Sequence, residues 1–269
     1  MNRISVKIKH LQTTGEKAFI PFITAGYPDL DTTLQVVLEL EKSGASIIEL
    51  GIPFSDPLAD GPTIQSSSHE SIQNGTTPDA VFKCIRKIRK KSDIPLIVFS
   101  YTNMVLAYGT DKFMQSLCGA GADGLLMPDL PVEEAQEFKN IARKYGLRMI
   151  FLISPLTSPE RMKMIEKFSD DFVYCVSVTG VTGERQKLFK NIKPYLKKVG
   201  STLSKPVMVG FGIGNGEDAG KIAAMSDGVI VGSALIKIMQ ESKNSRSMLN
   251  KIKIFANDIC NGIKNSKGN

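Results

Sequence analysis

The sequence predicts an α/β protein built as a single (β/α)8 TIM barrel. Eight short apolar runs alternate with segments that are each long enough to hold at least one helix, and such regular alternation is typical of parallel βα units. The chain has 269 residues, and a barrel of eight units usually needs about 250. No shift in composition divides the chain, so we expect one domain over 1–269 with a frayed tail at 264–269.

The predicted strands are short apolar segments that indicate buried positions. In chain order they span 18–23, 46–50, 95–99, 123–127, 148–153, 172–178, 206–209 and 227–231. An open doubly wound sheet would use the same units and is the main alternative. We favour the closed barrel because no linker separates the chain into two halves.

Helical spacing of apolar residues predicts helices between the strands, with three additions to a plain barrel. The additions are an N-terminal helix over 2–14, an inserted helix over 63–74 after the second strand, and a short helix that begins near Ser233 after the eighth. The remaining predicted helices span 32–43, with Gly44 as its C-cap, then 78–91, 132–145, 158–168 and 245–264.

Composition and charge exclude several classes of function. The net charge is +7, but the lysines are spread along the chain without interleaved aromatic residues, so we expect no nucleic-acid partner. The four cysteines form no CxxC motif and the two histidines lie far apart, which argues against a metal site, a disulfide framework or a histidine-based triad. No apolar run reaches membrane-spanning length and no signal peptide is evident. We therefore expect a soluble protein of the cytoplasm, with a plastid stroma as the alternative.

A carboxylate lies in the middle of the second predicted strand, where charge is costly unless it is paired or used. Glu49 shares one strand face with Ile47 and Gly51, and that face points either into the barrel or towards the helices. Burial should raise the pKa of Glu49. The structural alternative is a carboxylate satisfied by a lysine or by backbone donors. Its position near the C-terminal end of a barrel strand favours a catalytic role.

The loop after this strand holds two more carboxylates, Asp56 and Asp60, among proline and glycine residues. Aspartates in such loops commonly bond nearby backbone amides, so each alone is more often a turn residue. Asp60, however, follows the same strand end as Glu49. Two carboxylates in different surroundings, one apolar and one polar, allow separate acid and base roles.

Three glycine-bearing loops follow the sixth, seventh and eighth predicted strands, at 178–183, 210–216 and 231–234. Loops after the last strands of a barrel often bind phosphate together with the N-terminus of a short helix. Each glycine loop alone is weak evidence, because glycine also serves tight turns. The segment 214–219 also fits the GxGxxG/A dinucleotide motif, but it comes late in the chain and lacks an acidic residue about 20 positions on, so we rank it low.

Aromatic residues near the strand ends are candidates for lining a pocket. Tyr174, in the sixth predicted strand, is either an ordinary core aromatic or a hydroxyl that bonds a catalytic carboxylate or the substrate. Phe22, Phe99 and Phe211 lie near the ends of the first, third and seventh strands. They either line an apolar pocket or belong simply to the core.

At these residues the chain resembles the tryptophan synthase alpha subunit family, and the resemblance covers nearly all of it. The stretches that carry it are PFITAGYP at 21–28, ELGIPFSDPLADGP at 49–62, PDLP at 128–131, GVTG at 180–183 and GFGI at 210–213. The resemblance implies a (β/α)8 lyase of tryptophan biosynthesis. Such an enzyme cleaves indole-3-glycerol phosphate by a retro-aldol reaction to indole and glyceraldehyde 3-phosphate, without metal or organic cofactor.

The resemblance also implies roles for individual residues. Glu49 would protonate the indole ring carbon and then take the proton of the glycerol hydroxyl, Asp60 would accept or stabilise the indole N–H, and Tyr174 matches the active-site tyrosine. The positions that match the family's phosphate site are Gly183, Gly212, Gly232 and Ser233, and those that match its indole pocket are Phe22, Phe99 and Phe211. Two departures, Val178-Thr179 in place of Arg-Ser and Gly214 in place of Ser, bear on loop closure and phosphate affinity rather than on the carboxylates.

Members of this family work with a beta subunit that carries pyridoxal phosphate, in an α2β2 heterotetramer, so the resemblance implies that partner. Positions that match the shared surface are Pro53, Phe54, Asp56, Asn103, Pro128 and Asp129. Two alternatives stay open: a free-standing indole-producing lyase, and a non-catalytic barrel that regulates a partner subunit. Intact carboxylates at Glu49 and Asp60 argue against the second.

Overall fold

Short parallel strands form a ring in the computed structural model, which describes residues 1–176, 185–210 and 212–266, and only the backbone of 185–191. The strands are β1 (Ala18–Thr24), β2 (Ile48–Gly51), β3 (Leu96–Phe99), β4 (Gly124–Leu126), β5 (Arg148–Ile150), β6 (Leu152–Ile153), β7 (Val173–Val176), β8 (Val207–Gly210) and β9 (Gly228–Val231). They are hydrogen-bonded in the order β5-β4-β3-β2-β1-β9-β8-β7-β6. The first and last strands are therefore neighbours, and the predicted closed barrel is confirmed.

The prediction of one continuous strand over 148–153 is wrong, because the segment forms two strands, β5 and β6. β5 pairs with β4, whereas β6 pairs with β7 on the other side. Between them, the amide of Phe151 donates to the hydroxyl of Ser169 at 3.0 Å instead of to a strand. Because only this one residue separates β5 from β6, the two ends of the strand order meet here and the ring closes.

Helices fill the segments between the strands. They are α1 (Arg3–Thr14), α2 (Leu30–Lys42), α3 (Pro62–Gln73), α4 (Pro78–Arg89), α5 (Thr102–Tyr108), α6 (Thr110–Ala120), α7 (Ala135–Lys144), α8 (Pro159–Phe168), α9 (Arg185–Thr202), α10 (Gly216–Ala223), α11 (Ser233–Gln240) and α12 (Ser245–Asn265). Four of them, α5, α6, α9 and α10, were not individually predicted. The N-terminal helix and the inserted helices α3 and α11 are confirmed. Within the described ranges, no helix is both long enough and apolar enough to cross a membrane.

Several helix ends differ from the prediction for local reasons. α2 begins two residues early because the Asp29 carboxylate caps it, accepting from the Thr32 amide at 2.7 Å, and Ser43 rather than Gly44 is its C-cap. A 3-10 turn, Val132–Glu134, precedes α7. α12 continues through Asn265, with Ile263 buried in its last turn, so the first residues of the expected frayed tail are helical.

The apolar core has two layers. One fills the barrel interior, and the other lies between the strands and the helices. Ile4, Ile8 and Leu11 of α1 belong to the interior layer, because α1 lies across the N-terminal ends of the strands. The side-chain amide of Asn2 holds α1 there by donating to the carbonyl oxygens of Asp123 at 2.8 Å and Gly146 at 3.0 Å. α1 therefore covers the N-terminal end of the barrel, opposite the end where active sites of barrels are built.

Gly216 of the dinucleotide-like segment 214–219, and Gly220 just after the segment, serve helix packing. A Cβ atom on Gly216 would lie 2.3 Å from the carbonyl oxygen of Asp258 in α12, and one on Gly220 would lie 2.7 Å from that of Gly262. Only glycine allows α10 and α12 to approach so closely. Helix packing therefore explains one of the two glycines of the dinucleotide-like segment, Gly216, without a bound nucleotide.

Candidate active site

Glu49 points into the barrel interior. Its strand neighbour Ile47 belongs to the interior layer, whereas Leu50 on the opposite face packs in the outer layer. In register, Glu49 pairs with Phe22 of β1, which is also an interior residue. Glu49 is 2% exposed. Of the two orientations that the sequence left open, the inward one is correct.

The surroundings of Glu49 favour its protonated form. Burial, and after it the charge of Asp60, raises the pKa of Glu49 to about 8. Within the described part of the chain no lysine or arginine forms an ion pair with Glu49, so the alternative of a lysine-satisfied carboxylate finds no support there. At neutral pH, Glu49 is a carboxylic acid that can donate a proton.

Asp60 lies half-buried at the end of the loop that follows β2. Its carboxylate oxygen Oδ2 accepts a hydrogen bond of 2.8 Å from the phenol of Tyr101, and that phenol oxygen accepts one of 3.2 Å from the amide of Ala59. Burial raises the pKa of Asp60 to about 6, and the Tyr101 hydrogen bond opposes the rise. The side chain therefore bonds a buried phenol, unlike that of an ordinary turn aspartate.

Tyr101 belongs to this site but was not predicted from the sequence. It is 3% exposed and follows β3 by two residues, at the end of the barrel where active sites are built. Its position just after a predicted strand was the one feature of the sequence that could have indicated a role in the site. Its partner Asp60 lies 41 residues earlier in the chain, so no local pattern links the two.

Tyr174 of β7 packs against the interior layer, where the charges of both carboxyls act on its phenol. Burial raises its pKa, and the charges of Glu49 and Asp60 raise it further, which places the phenol near both. Gly210 of β8 makes room for it, because a Cβ atom there would lie 2.7 Å from the Tyr174 hydroxyl oxygen. The phenol therefore interacts electrostatically with Glu49 and Asp60, although among the described residues its hydroxyl forms no hydrogen bond to either carboxyl.

An aromatic wall borders the carboxyls. The rings of Phe22 and Phe99 meet edge to face with centroids 5.5 Å apart, and Phe99 meets Tyr101 in the same way at 6.0 Å. Both phenylalanines belong to the interior layer. Phe211, the third predicted member of the pocket, lies outside the described residues.

Three of the predicted phosphate positions, Gly212, Gly232 and Ser233, lie at the same end of the barrel. Gly232 is the N-cap of α11 and Ser233 is its first residue. A Cβ atom on Gly232 would lie 3.3 Å from Cδ1 of Phe22, so the N-terminus of α11 adjoins the aromatic wall. Gly212 has a φ of +52°, a conformation that favours glycine. Gly183 and the departure at Val178-Thr179 lie outside the described residues.

The predicted partner-facing residues are mostly accessible. Asp56, Asn103 and Asp129 are exposed, Phe54 and Pro128 are half-buried, and Pro53 is buried. Asp129 accepts from the amide of Thr102 at 2.9 Å and so caps α5. Leu58, in the same loop as Asp56, is 92% exposed. Over the residues that the structure describes, no group of three or more His, Cys, Asp or Glu side chains could hold a metal ion.

Because the pKa of Glu49 is raised in the folded chain, we expect the free energy of unfolding to depend on pH. Between the ordinary pKa of 4.5 and about 8, the folded chain keeps a proton that the unfolded chain has lost, so stability falls as pH rises, by at most about 1.4 kcal/mol per pH unit. Glu49→Gln carries no such titration. We expect the variant to gain stability relative to the original chain as pH rises from about 5 to about 7.5, measured by urea unfolding. A difference that stays constant with pH would contradict the assignment.

This chain is similar to known proteins over nearly its whole length. A family model described as tryptophan synthase alpha chain matches residues 8–264. The tryptophan synthase alpha chain of Thermoanaerobacter sp. (strain X514) is 47% identical over 259 residues, covering 96% of this chain and 98% of that relative. That of Clostridium kluyveri (strain NBRC 12016) is 44% identical over 264 residues, covering 98% and 100%.

Solved structures are similar over the same extent. The crystal structure of tryptophan synthase subunit alpha from Legionella pneumophila str. Paris has a TM-score of 0.91 at 36% identity, and the match covers 98% of this chain and 99% of that one. A chain in the structure of Mycobacterium tuberculosis tryptophan synthase has a TM-score of 0.87 at 32% identity, with 97% and 98% covered.

Proposed function

This chain belongs to the tryptophan synthase alpha chain family, and we propose from that premise that it cleaves indole-3-glycerol phosphate to indole and glyceraldehyde 3-phosphate. The observation that carries the proposal is the pair of unlike carboxyls at one barrel opening. Glu49 is buried and protonated at neutral pH, whereas Asp60 is half-buried, with a pKa of about 6. A retro-aldol cleavage needs one acid and one carboxylate in these states.

The steps follow from these two states. The Glu49 carboxylic acid donates its proton to the indole carbon that bears the glycerol chain, while the Asp60 carboxylate accepts a hydrogen bond from the indole N–H and stabilises the positive charge on the ring. The Glu49 carboxylate then removes the proton of the adjacent chain hydroxyl. The carbon–carbon bond breaks, its electrons return to the ring, and the hydroxyl carbon becomes the aldehyde. Glu49 is protonated again at the end of the cycle.

The remaining predicted residues would hold the substrate in place. We propose that the N-terminus of α11, with Gly232 and Ser233, binds the phosphate through backbone amides and the helix dipole, together with Gly212 and Gly183. Phe22, Phe99 and Phe211 would contact the indole ring. An anchored phosphate at one end and a stacked ring at the other fix the reacting bond between the carboxyls. No cofactor enters this scheme.

We propose further that the chain pairs with a tryptophan synthase beta subunit in an α2β2 heterotetramer, with pyridoxal phosphate in that partner only. The accessible surface formed by the loop of Phe54, Asp56 and Leu58 supports this, because a leucine that is 92% exposed gains from burial at an interface. Asn103, Pro128 and Asp129 would extend the surface. The relatives named above are bacterial, which supports a cytoplasmic location and offers nothing for a plastid.

Release of indole is the direct test. We expect the purified chain to produce indole from indole-3-glycerol phosphate and to do so much faster when a tryptophan synthase beta subunit is added. The matched control substrate is indole-3-glycerol without phosphate, which should react poorly because it lacks the anchor. Full activity without the beta subunit would point to a free-standing lyase. Absence of indole under both conditions would leave the non-catalytic barrel.

A further inference from the structure

We propose that Tyr101 is a positioning residue of this reaction, whose phenol fixes the direction of the Asp60 carboxylate towards the indole N–H. The inference rests on the proposed lyase function and deepens it. Asp60 lies in a loop, and a loop alone does not hold a carboxylate with the accuracy that charge stabilisation requires. The group that holds it lies on a different element.

The direction of the hydrogen bond follows from the neighbours of the phenol. The amide of Ala59 donates to the Tyr101 hydroxyl oxygen at 3.2 Å, so that contact uses a lone pair. The single hydroxyl proton is then directed to Oδ2 of Asp60 at 2.8 Å. One phenol therefore bonds two consecutive loop residues and fixes both the backbone and the carboxylate.

Tyr101 is itself held rigidly. Its ring stacks on Phe54 with centroids 5.0 Å apart and an interplanar angle of 27°, and it meets the edge of Phe99 at 6.0 Å. Its carbonyl oxygen accepts from the amides of Met104 and Val105 at the start of α5. A buried ring on a strand-to-helix junction thus anchors a carboxylate on a loop.

The role of Tyr101 can be measured through the pH dependence of the reaction, because Tyr101 affects the pKa of Asp60. The charge of Asp60 raises the pKa of Glu49 and of Tyr174, and among the described residues Tyr101 is the side chain that donates a hydrogen bond to Asp60. Loss of the phenol hydroxyl removes a bond that favours the ionised carboxylate, so the pKa of Asp60 rises. Because the reaction needs ionised Asp60, the acid limb of kcat/KM should move to higher pH.

The test is Tyr101→Phe, which keeps the ring and its stacking and deletes only the hydroxyl. We expect kcat to fall roughly 10-fold, as for one hydrogen bond to a charged group, with a smaller change in KM and an acid limb at higher pH. The titration of the substrate phosphate is common to both enzymes and cancels in the comparison. Tyr145→Phe is the matched control, since its phenol donates to Asp111 at 2.8 Å far from the site, and it should leave rate and pH profile unchanged.

A double-mutant cycle with Asp60→Asn separates positioning from a general effect on the fold. If Tyr101 acts through Asp60, removal of the hydroxyl should cost much less in the Asn background. Equal losses in both backgrounds, or an unchanged kcat and acid limb in Tyr101→Phe, would overturn the proposal. Incorporation of 3-fluorotyrosine at 101, a stronger donor, should move the acid limb the opposite way and does not depend on the folding of Tyr101→Phe. An original chain that makes no indole, with or without the beta subunit, would refute the lyase function instead.

Discussion

Replacement of Glu49 by glutamine is expected to nearly abolish indole release, with turnover falling roughly 10³-fold or more, because one side chain serves as both acid and base and each role contributes about 10²–10⁴-fold. Glutamine fills the same volume and cannot transfer a proton. The measurement is the rate of indole formation at saturating indole-3-glycerol phosphate. Glu137→Gln, on the exposed face of α7, is the matched control and should behave as the original chain.

The fold of Glu49→Gln should be intact, because the variant places a neutral group where the structure already favours a neutral one. Circular dichroism and unfolding curves would show this. Turnover close to that of the original chain in a folded Glu49→Gln protein would refute the catalytic role of Glu49.

Asp60→Asn is expected to slow turnover by about 10²-fold, less than Glu49→Gln, because the amide oxygen still accepts from the indole N–H while the negative charge that stabilises the protonated ring is lost. A second readout follows from the coupling of the two groups. The charge of Asp60 raises the pKa of Glu49, so its removal should shift the alkaline limb of kcat/KM to lower pH.

Comparison of the two variants ranks the carboxyls. A loss in Asp60→Asn that equals or exceeds the loss in Glu49→Gln would reverse the assignment of the proton-transferring group. Asp56→Asn is the control for the loop, because Asp56 is exposed and lies away from the Tyr101 hydrogen bond. It should leave the turnover of the isolated chain unchanged.

The barrel itself was predictable from the sequence because buried parallel strands leave near-continuous apolar runs. Glu49 stood out for the same reason, since a charge inside such a run is rare. The break at Phe151 was not predictable. At the break, the amide of Phe151 bonds the hydroxyl of Ser169, and a contact with a residue outside the segment leaves no local pattern at 148–153.

Site residues could be predicted where the residue type is unusual for its segment. They could not be predicted where the role depends on a contact with a residue far away in the sequence. Asp60 became a candidate only because it follows Glu49 in the same strand-to-loop segment. Tyr101 was not a candidate, because a tyrosine after a strand is common and its hydrogen bond to Asp60 is visible only in the structure. Gly210 and Gly232 show the same limit. Both lie in segments that the sequence singled out, yet the space each leaves for Tyr174 or Phe22 appears only in three dimensions.

The pairing of β1 with β9 affects how the chain can be made. A ribosome adds roughly 5–20 residues per second, so β1 emerges well before β9 and has only β2 available on one side. Until synthesis reaches Gly228, its other edge carries unpaired amides and carbonyls, which are a template for association between chains. α1 likewise lacks the acceptors of its Asn2 side chain until Asp123 and Gly146 have been synthesised. Nascent or truncated chains that lack β9 should therefore depend on chaperones far more than the finished barrel does.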